Sequence, residues 1–117
     1  MRKIENPELL QILNRLRKNK TKFWKMVRTN LLKANRQRAN VNINKLSKLA
    51  KDDFVLVVPG KVLGKGIIKN KFTVIAFDYS KSTIDKMNEM KCNHYKFADI
   101  FDDKEQIKVK GKFMIVR

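Results

Sequence analysis

Residues 53–78 read DFVLVVPGKVLGKGIIKNKFTVIAFD, and two apolar runs stand out: Phe54-Val55-Leu56-Val57-Val58 and Phe72-Thr73-Val74-Ile75-Ala76-Phe77. Short runs of β-branched and aromatic residues bounded by Pro, Gly, Asn and Asp are the signature of buried strands. Pro59-Gly60 is expected to end the first strand, because proline has no ladder donor and glycine opens positive φ. Gly64 and Gly66 then let the backbone turn tightly or approach another group closely. Lys61, Lys65, Lys69 and Lys71 add positive charge to the same segment. A rigid strand pair that displays glycines and lysines describes a platform for anions.

Working outward, 117 residues are one domain's worth, and 43% hydrophobic content suits one modest core. The formal net charge is +17. Charge on that scale opposes compaction unless a polyanion neutralises it, which points to nucleic acid first and an anionic membrane second. It is also lopsided. Residues 1–51 hold 15 Lys and Arg against Glu5 and Glu8, whereas 52–117 hold 13 against 9 acids. The expected division is into a basic helical N-terminal half, residues 1–51, and a small β/α globular half, residues 52–117, within a single structural domain.

Upstream, Asn6-Pro7-Glu8 has the pattern of a helix start, with Leu9, Ile12, Leu13 and Leu16 at helical spacing until the helix fades near Asn19. Thr21 offers a cap for a second helix over 21–34, with Phe23, Trp24, Val27 and Leu31 inward. Residues 35–40 have no apolar periodicity and read as a linker carrying Arg36 and Arg38, side chains suited to forked phosphate contacts. Asn42 offers a cap for a short third helix over 43–50, with Ile43, Leu46, Leu49 and Ala50 inward.

Downstream, Ser80 or Ser82 caps a helix with Ile84, Met87 and either Met90 or Cys92 on its inner side, and Asp85, Lys86, Glu89 and Lys91 outside. Asn93-His94 reads as a turn, Tyr95 and Phe97 as a brief strand, and Ile100-Phe101 as one helical turn. Ile107 and Val109 fit an edge strand, Gly111 a turn, and Phe113-Met114-Ile115-Val116 a final buried strand.

Catalytic and metal chemistry find little purchase. Gly60-Lys61-Val62-Leu63-Gly64-Lys65-Gly66 fails the phosphate-loop pattern, because three residues separate Gly60 from Gly64 and no Ser or Thr follows Lys65. Cys92 is the one cysteine and His94 the one histidine; two residues apart, they lack metal-ligand spacing. Asp52-Asp53 and Asp102-Asp103 read as caps and solvated charge. Phe23 and Trp24 lie where a base could stack, but their spacing with Val27 and Leu31 favours the core. No apolar stretch of signal-peptide length follows the N-terminus, and none approaches the roughly 18 apolar residues of a spanning helix, so a soluble chain is expected.

Val57-Val58-Pro59-Gly60-Lys61-Val62-Leu63-Gly64-Lys65-Gly66 resembles the signature of the archaeal and eukaryotic large-subunit ribosomal protein family L-eighteen-e, kin to bacterial L-fifteen. Asn6-Pro7, the tryptophan-led helix from Trp24, RQRANVNINKL at 36–46, FTVIAFDYS at 72–80 and the closing 111–117 are similar to its other segments. Two departures stand out: Asn40 replaces a common Glu, and glycines usual between the later helix and strand are absent from 90–94.

The resemblance implies a mixed α/β fold, with N-terminal helices followed by an irregular β-β-α globular portion. It further implies a structural constituent of the large ribosomal subunit, cytoplasmic and in the ribosome, with large-subunit ribosomal RNA and neighbouring ribosomal proteins as partners. No catalysis, cofactor, metal, membrane or small-molecule substrate is expected. On this reading Arg15, Arg17, Lys18, Lys22, Arg28, Arg36 and Arg38 neutralise phosphates, and Lys61, Lys65 and Lys69 form a second patch. The rival readings are a DNA-binding protein whose first three helices imitate a helix-turn-helix, and an enzyme acting on RNA through Asp53 or His94.

Overall fold

Side chains alternate sides along a strand, and here both sides are apolar: Val55 and Val57 one way, Leu56 and Val58 the other. Such a strand needs cover on two faces. The computed structural model describes residues 7–17, 21–37, 39–50, 54–100, 109 and 111–116, with the backbone alone for 33–37 and 39. In chain order it contains α1 (Pro7–Arg17), α2 (Lys22–Gln37), β1 (Ala39–Asn42), α3 (Ile43–Leu49), β2 (Phe54–Leu63), β3 (Thr73–Tyr79), α4 (Lys81–Glu89), β4 (Asn93–Lys96), a 3₁₀ turn (Phe97–Asp99) and β5 (Lys112–Ile115). The expected mixed α/β class holds, and every described strand pairing is parallel.

β2 is the centre of the sheet. One edge pairs with β3, from Val55 opposite Thr73 onward, and β3 pairs in turn with β4. The other edge is shared, with β5 along Phe54 to Val57 and β1 along Gly60 to Leu63. Val55, Val57, Ile75 and Phe77 bury against Leu9, Ile12, Leu13 and Leu16 of α1 and Trp24, Val27 and Leu31 of α2. Leu56, Val58, Val74 and Ala76 bury against Ile43 and Leu46 of α3 and Met87 of α4. Three layers result, with the sheet in the middle, as parallel sheets require.

Three local expectations need correction. Pro59-Gly60 does not end the strand: β2 runs on to Leu63, with its register to β3 broken between Val58 and Lys61. A bulge leaves a residue out of the ladder, and that is where proline's missing N–H is tolerated. The 35–40 linker is also structured, since α2 continues to Gln37 and β1 begins at Ala39. Ala, Arg and Gln are good helix formers without any apolar stripe, and β1 is a strand because the edge of β2 pairs with it.

Asn93-His94 is no turn but the start of β4; the turn lies at Met90-Lys91. There Lys91 N–H donates to Asn88 O and Cys92 N–H to Met87 O, with Lys91 at φ 57°. This is a Schellman helix end with lysine where glycine usually sits. His94 is accordingly half-buried, edge-on to the Tyr79 ring and 3.2 Å from Asn88 Oδ1. Val109 is described outside any strand. Asn6, Asn19, Phe101, Ile107 and both Asp-Asp pairs lie outside the described residues.

Lys91 and Tyr79 each carry a stability prediction. Lys91→Gly relieves a left-handed backbone at a solvent-exposed site, and should raise unfolding free energy by up to about 1 kcal/mol in urea titration. Tyr79 is buried, with its hydroxyl donating to Tyr95 O at 2.5 Å. Burial pushes the phenol's pKa up. The unfolded chain therefore loses this proton first. Tyr79's contribution is fully present below its ordinary pKa of about 10 and declines as pH rises above it. The stability difference between the wild type and Tyr79→Phe should stay flat to about pH 10, then fall by up to about 1.4 kcal/mol per pH unit.

Candidate nucleic-acid interface

β2 and β3 run parallel, so residues 64–72 must carry the chain from one end of the sheet back to the other. They do so without a helix, which is shorter than the dozen or more residues usual for a parallel crossover. Ile68 and Phe72 anchor it in the core beside α3 and α4. Its polar backbone groups are met by side chains. Ser47, itself buried on α3, accepts from Lys69 N–H at 2.7 Å and Asn70 N–H at 3.1 Å. Ser80, which is the α4 cap, accepts from Gly64 N–H at 3.2 Å and Thr83 N–H at 3.3 Å. Lys86 Nζ donates to Gly64 O at 2.6 Å and Gly66 O at 3.0 Å.

The glycines are there for close approach. A Cβ on Gly64 would lie against Ser82 Oγ and 2.8 Å from the Thr83 backbone nitrogen. One on Gly66, whose φ is +112°, would lie 2.6 Å from Asn44 Cβ. The turn is thus wedged between the first turns of α3 and α4, and Lys65, between the two glycines, faces solvent.

The expected site residues fall into distinct places. Lys65 and Lys69 are exposed on the crossover, whereas Lys61 is half-buried within β2, opposite Asp78 of β3. Arg17 and Lys22 are exposed on α1 and α2. Arg15 Nη1 donates to Ala98 O and Arg28 Nε to Leu13 O, both at 3.3 Å, so these two arginines also tie α1 and α2 into the fold. Arg36 lies in the last turn of α2, described as backbone alone, and Lys18 and Arg38 lie outside the described residues.

Because α1 and α2 cover one face of the sheet and the crossover the other, the two cation groups are not one patch. The sheet stands between them, and with a Debye length of about 8 Å at physiological salt each group acts mainly on its own surroundings.

Nor do the helices form a helix-turn-helix, since α2 and α3 lie on opposite faces with β1 between them. Among the described residues no three His, Cys, Asp or Glu gather as metal ligands, and no helix is long and apolar enough to cross a membrane. Lys86 was missed as a member of this site, having read as a solvated helix position. Its only sequence signal is its place two turns into a helix that follows a Gly-rich segment.

Comparison with known proteins adds a family. No protein-family model matches the chain. Curated relatives do: it is 35% identical over 96 residues to the large ribosomal subunit protein eL18 of Thermoplasma acidophilum, covering 82% of this chain and 80% of the relative. The eL18 of Sulfurisphaera tokodaii is 42% identical over 79 residues, 68% of this chain and 67% of that one. The eL18 of Archaeoglobus fulgidus is 40% identical over 93 residues, 76% and 79% of the two chains.

The wedged turn gives a direct test. Gly64→Ala should cost about 1–3 kcal/mol by overpacking against the backbone of α4, while Lys65→Ala, exposed beside it, should stay within about 0.5 kcal/mol. Urea unfolding of both variants checks the contrast.

Proposed function

Since the chain belongs to the eL18 family of large ribosomal subunit proteins, we propose that it is a structural constituent of the large ribosomal subunit that joins two segments of ribosomal RNA. The family membership carries the ribosomal side of this reading. Proteins of this family are not enzymes, and no reaction is assigned to Asp53 or His94. The working place is the ribosome in the cytoplasm, beside other ribosomal proteins.

The placement of charge supports the RNA side. Arg17 and Lys22 face out from one side of the sheet and Lys65 and Lys69 from the other. Arg15, Lys18, Arg28, Arg36, Arg38 and Lys61 complete the proposed contacts. Each side neutralises the backbone of a separate RNA segment, and the stiff three-layer core between them fixes the spacing. The physical work is screening: two polyanions that repel one another are held at a set distance by cations that release their counterions. In this role the basic residues 1–51 and the globular residues 52–117 act as one unit, because β1 belongs to the same sheet as β2.

Salt dependence tests the reading. Binding to deproteinised archaeal large-subunit ribosomal RNA should weaken steeply with salt, each phosphate contact adding about 0.7–0.9 to the log–log slope. Arg17→Ala with Lys22→Ala, and separately Lys65→Ala with Lys69→Ala, should each reduce the slope by about 1.5. Combining all four should reduce it by the sum, because the sides are mutually screened. Slopes that do not move in either pair would contradict the assignment.

A further inference from the structure

A lysine on a surface helix of so basic a chain would ordinarily be counted as one more phosphate contact. Lys86 is different. It is half-buried on α4, and two of the three donors of its ammonium are taken by the carbonyls of Gly64 and Gly66, 22 and 20 residues upstream. Those carbonyls flank Lys65 on both sides. Its stem, with Gly66, Ile67, Ile68, Glu89 and Met90, also lines a shallow cleft of about 230 Å³ beneath the turn.

Gly64-Lys65-Gly66 is the segment most in need of restraint. Glycine loses more conformational freedom on folding than any other residue, and two of them flank the exposed lysine. Ser80 holds the turn at one point, the Gly64 N–H. The described hydrogen bonds to the carbonyl side of the turn come from Lys86. An ammonium suits this task better than a guanidinium, being a compact charge with rotatable donors where two carbonyls converge.

We infer that Lys86 is a positioning residue: its ammonium clamps the Gly64 and Gly66 carbonyls and so fixes where Lys65 is held out to RNA. The clamp stands on the geometry, and its use for RNA rests on the binding reading above. Lys86 adds affinity through pre-organisation, since the turn is already ordered when RNA arrives.

Two variants separate clamp from charge, with deproteinised archaeal large-subunit ribosomal RNA as the probe. Lys86→Met keeps the stem and removes the ammonium. Amide exchange at 64–68 should rise in the free protein, and affinity should fall about tenfold with the salt slope lowered by about one, because the Lys65 contact is lost with the clamp. RNA should no longer shield Lys65 from amine acetylation, while Lys22, on the other side of the sheet, stays shielded. Lys65→Met should lower the slope by the same amount yet leave exchange unchanged.

The inference is overturned if Lys86→Met lowers the slope by about one with exchange unchanged, since Lys86 is then an ordinary phosphate contact. It is equally overturned if shielding of Lys65 survives Lys86→Met. Should that variant fail to fold, Lys86→Gln, too short to reach both carbonyls, takes its place, so lost shielding of Lys65 supports the clamp and retained shielding refutes it. Exchange is measured without RNA. A wild-type chain that binds no RNA therefore defeats the RNA reading alone, and unchanged exchange in Lys86→Met defeats the clamp alone.

Discussion

β2 is hydrogen-bonded along both edges and apolar on both faces, and the remaining elements are arranged to satisfy that one strand. A lone strand of this composition would expose two apolar surfaces and two rows of unpaired backbone groups, an aggregation template. Here β3 takes one edge, and β5 and β1 divide the other at the bulge. α1 and α2 cover one face, and α3 and α4 the other. Elements from both ends of the sequence therefore converge on residues 54–63, and the first half of the chain is built into the same core as the last.

That arrangement decides where the positive charge can go. A core flanked by helices on two sides leaves the outer helix surfaces and the crossover to carry many of the described cations of a chain whose net charge is +17. Placing some on each side of the sheet lowers self-repulsion, because charges farther apart than a Debye length scarcely sense one another. The same separation yields a body with two basic sides. Rigidity matters as much as charge. Wedging Gly64 and Gly66 against α4 and α3, with Ser47, Ser80 and Lys86 meeting the backbone, turns a glycine-rich connection into an ordered platform.

Much of this could be read from residue types. Recurring apolar positions on one side of α1 and α2, the Ser80 cap, and the two runs at 54–58 and 72–77 all state their burial locally. So does the need for close approach at Gly64 and Gly66. What escaped has a common physical cause, namely tertiary context outweighing a local signal. Pro59 reads as a strand end, yet a bulge absorbs its missing donor. Residues 39–42, ANVN, lack an alternating apolar pattern; Val41 is buried, and the segment becomes a strand because β2 offers an open edge. Lys86 has the spacing of a solvated helix residue, and no periodicity reveals that two carbonyls about 20 residues upstream will meet its ammonium. The family signature at 57–66 was legible because it contains the glycines that this packing demands.

Sedimentation is the most direct test of the central claim that this chain is built into the large ribosomal subunit. Extract from the source cells is run through sucrose gradients at rising salt, and the chain is followed across the fractions. The account predicts that it travels with the large subunit through moderate salt and leaves only when phosphate contacts are screened. A chain that stays at the top of the gradient at low salt, or follows chromosomal DNA, would contradict it.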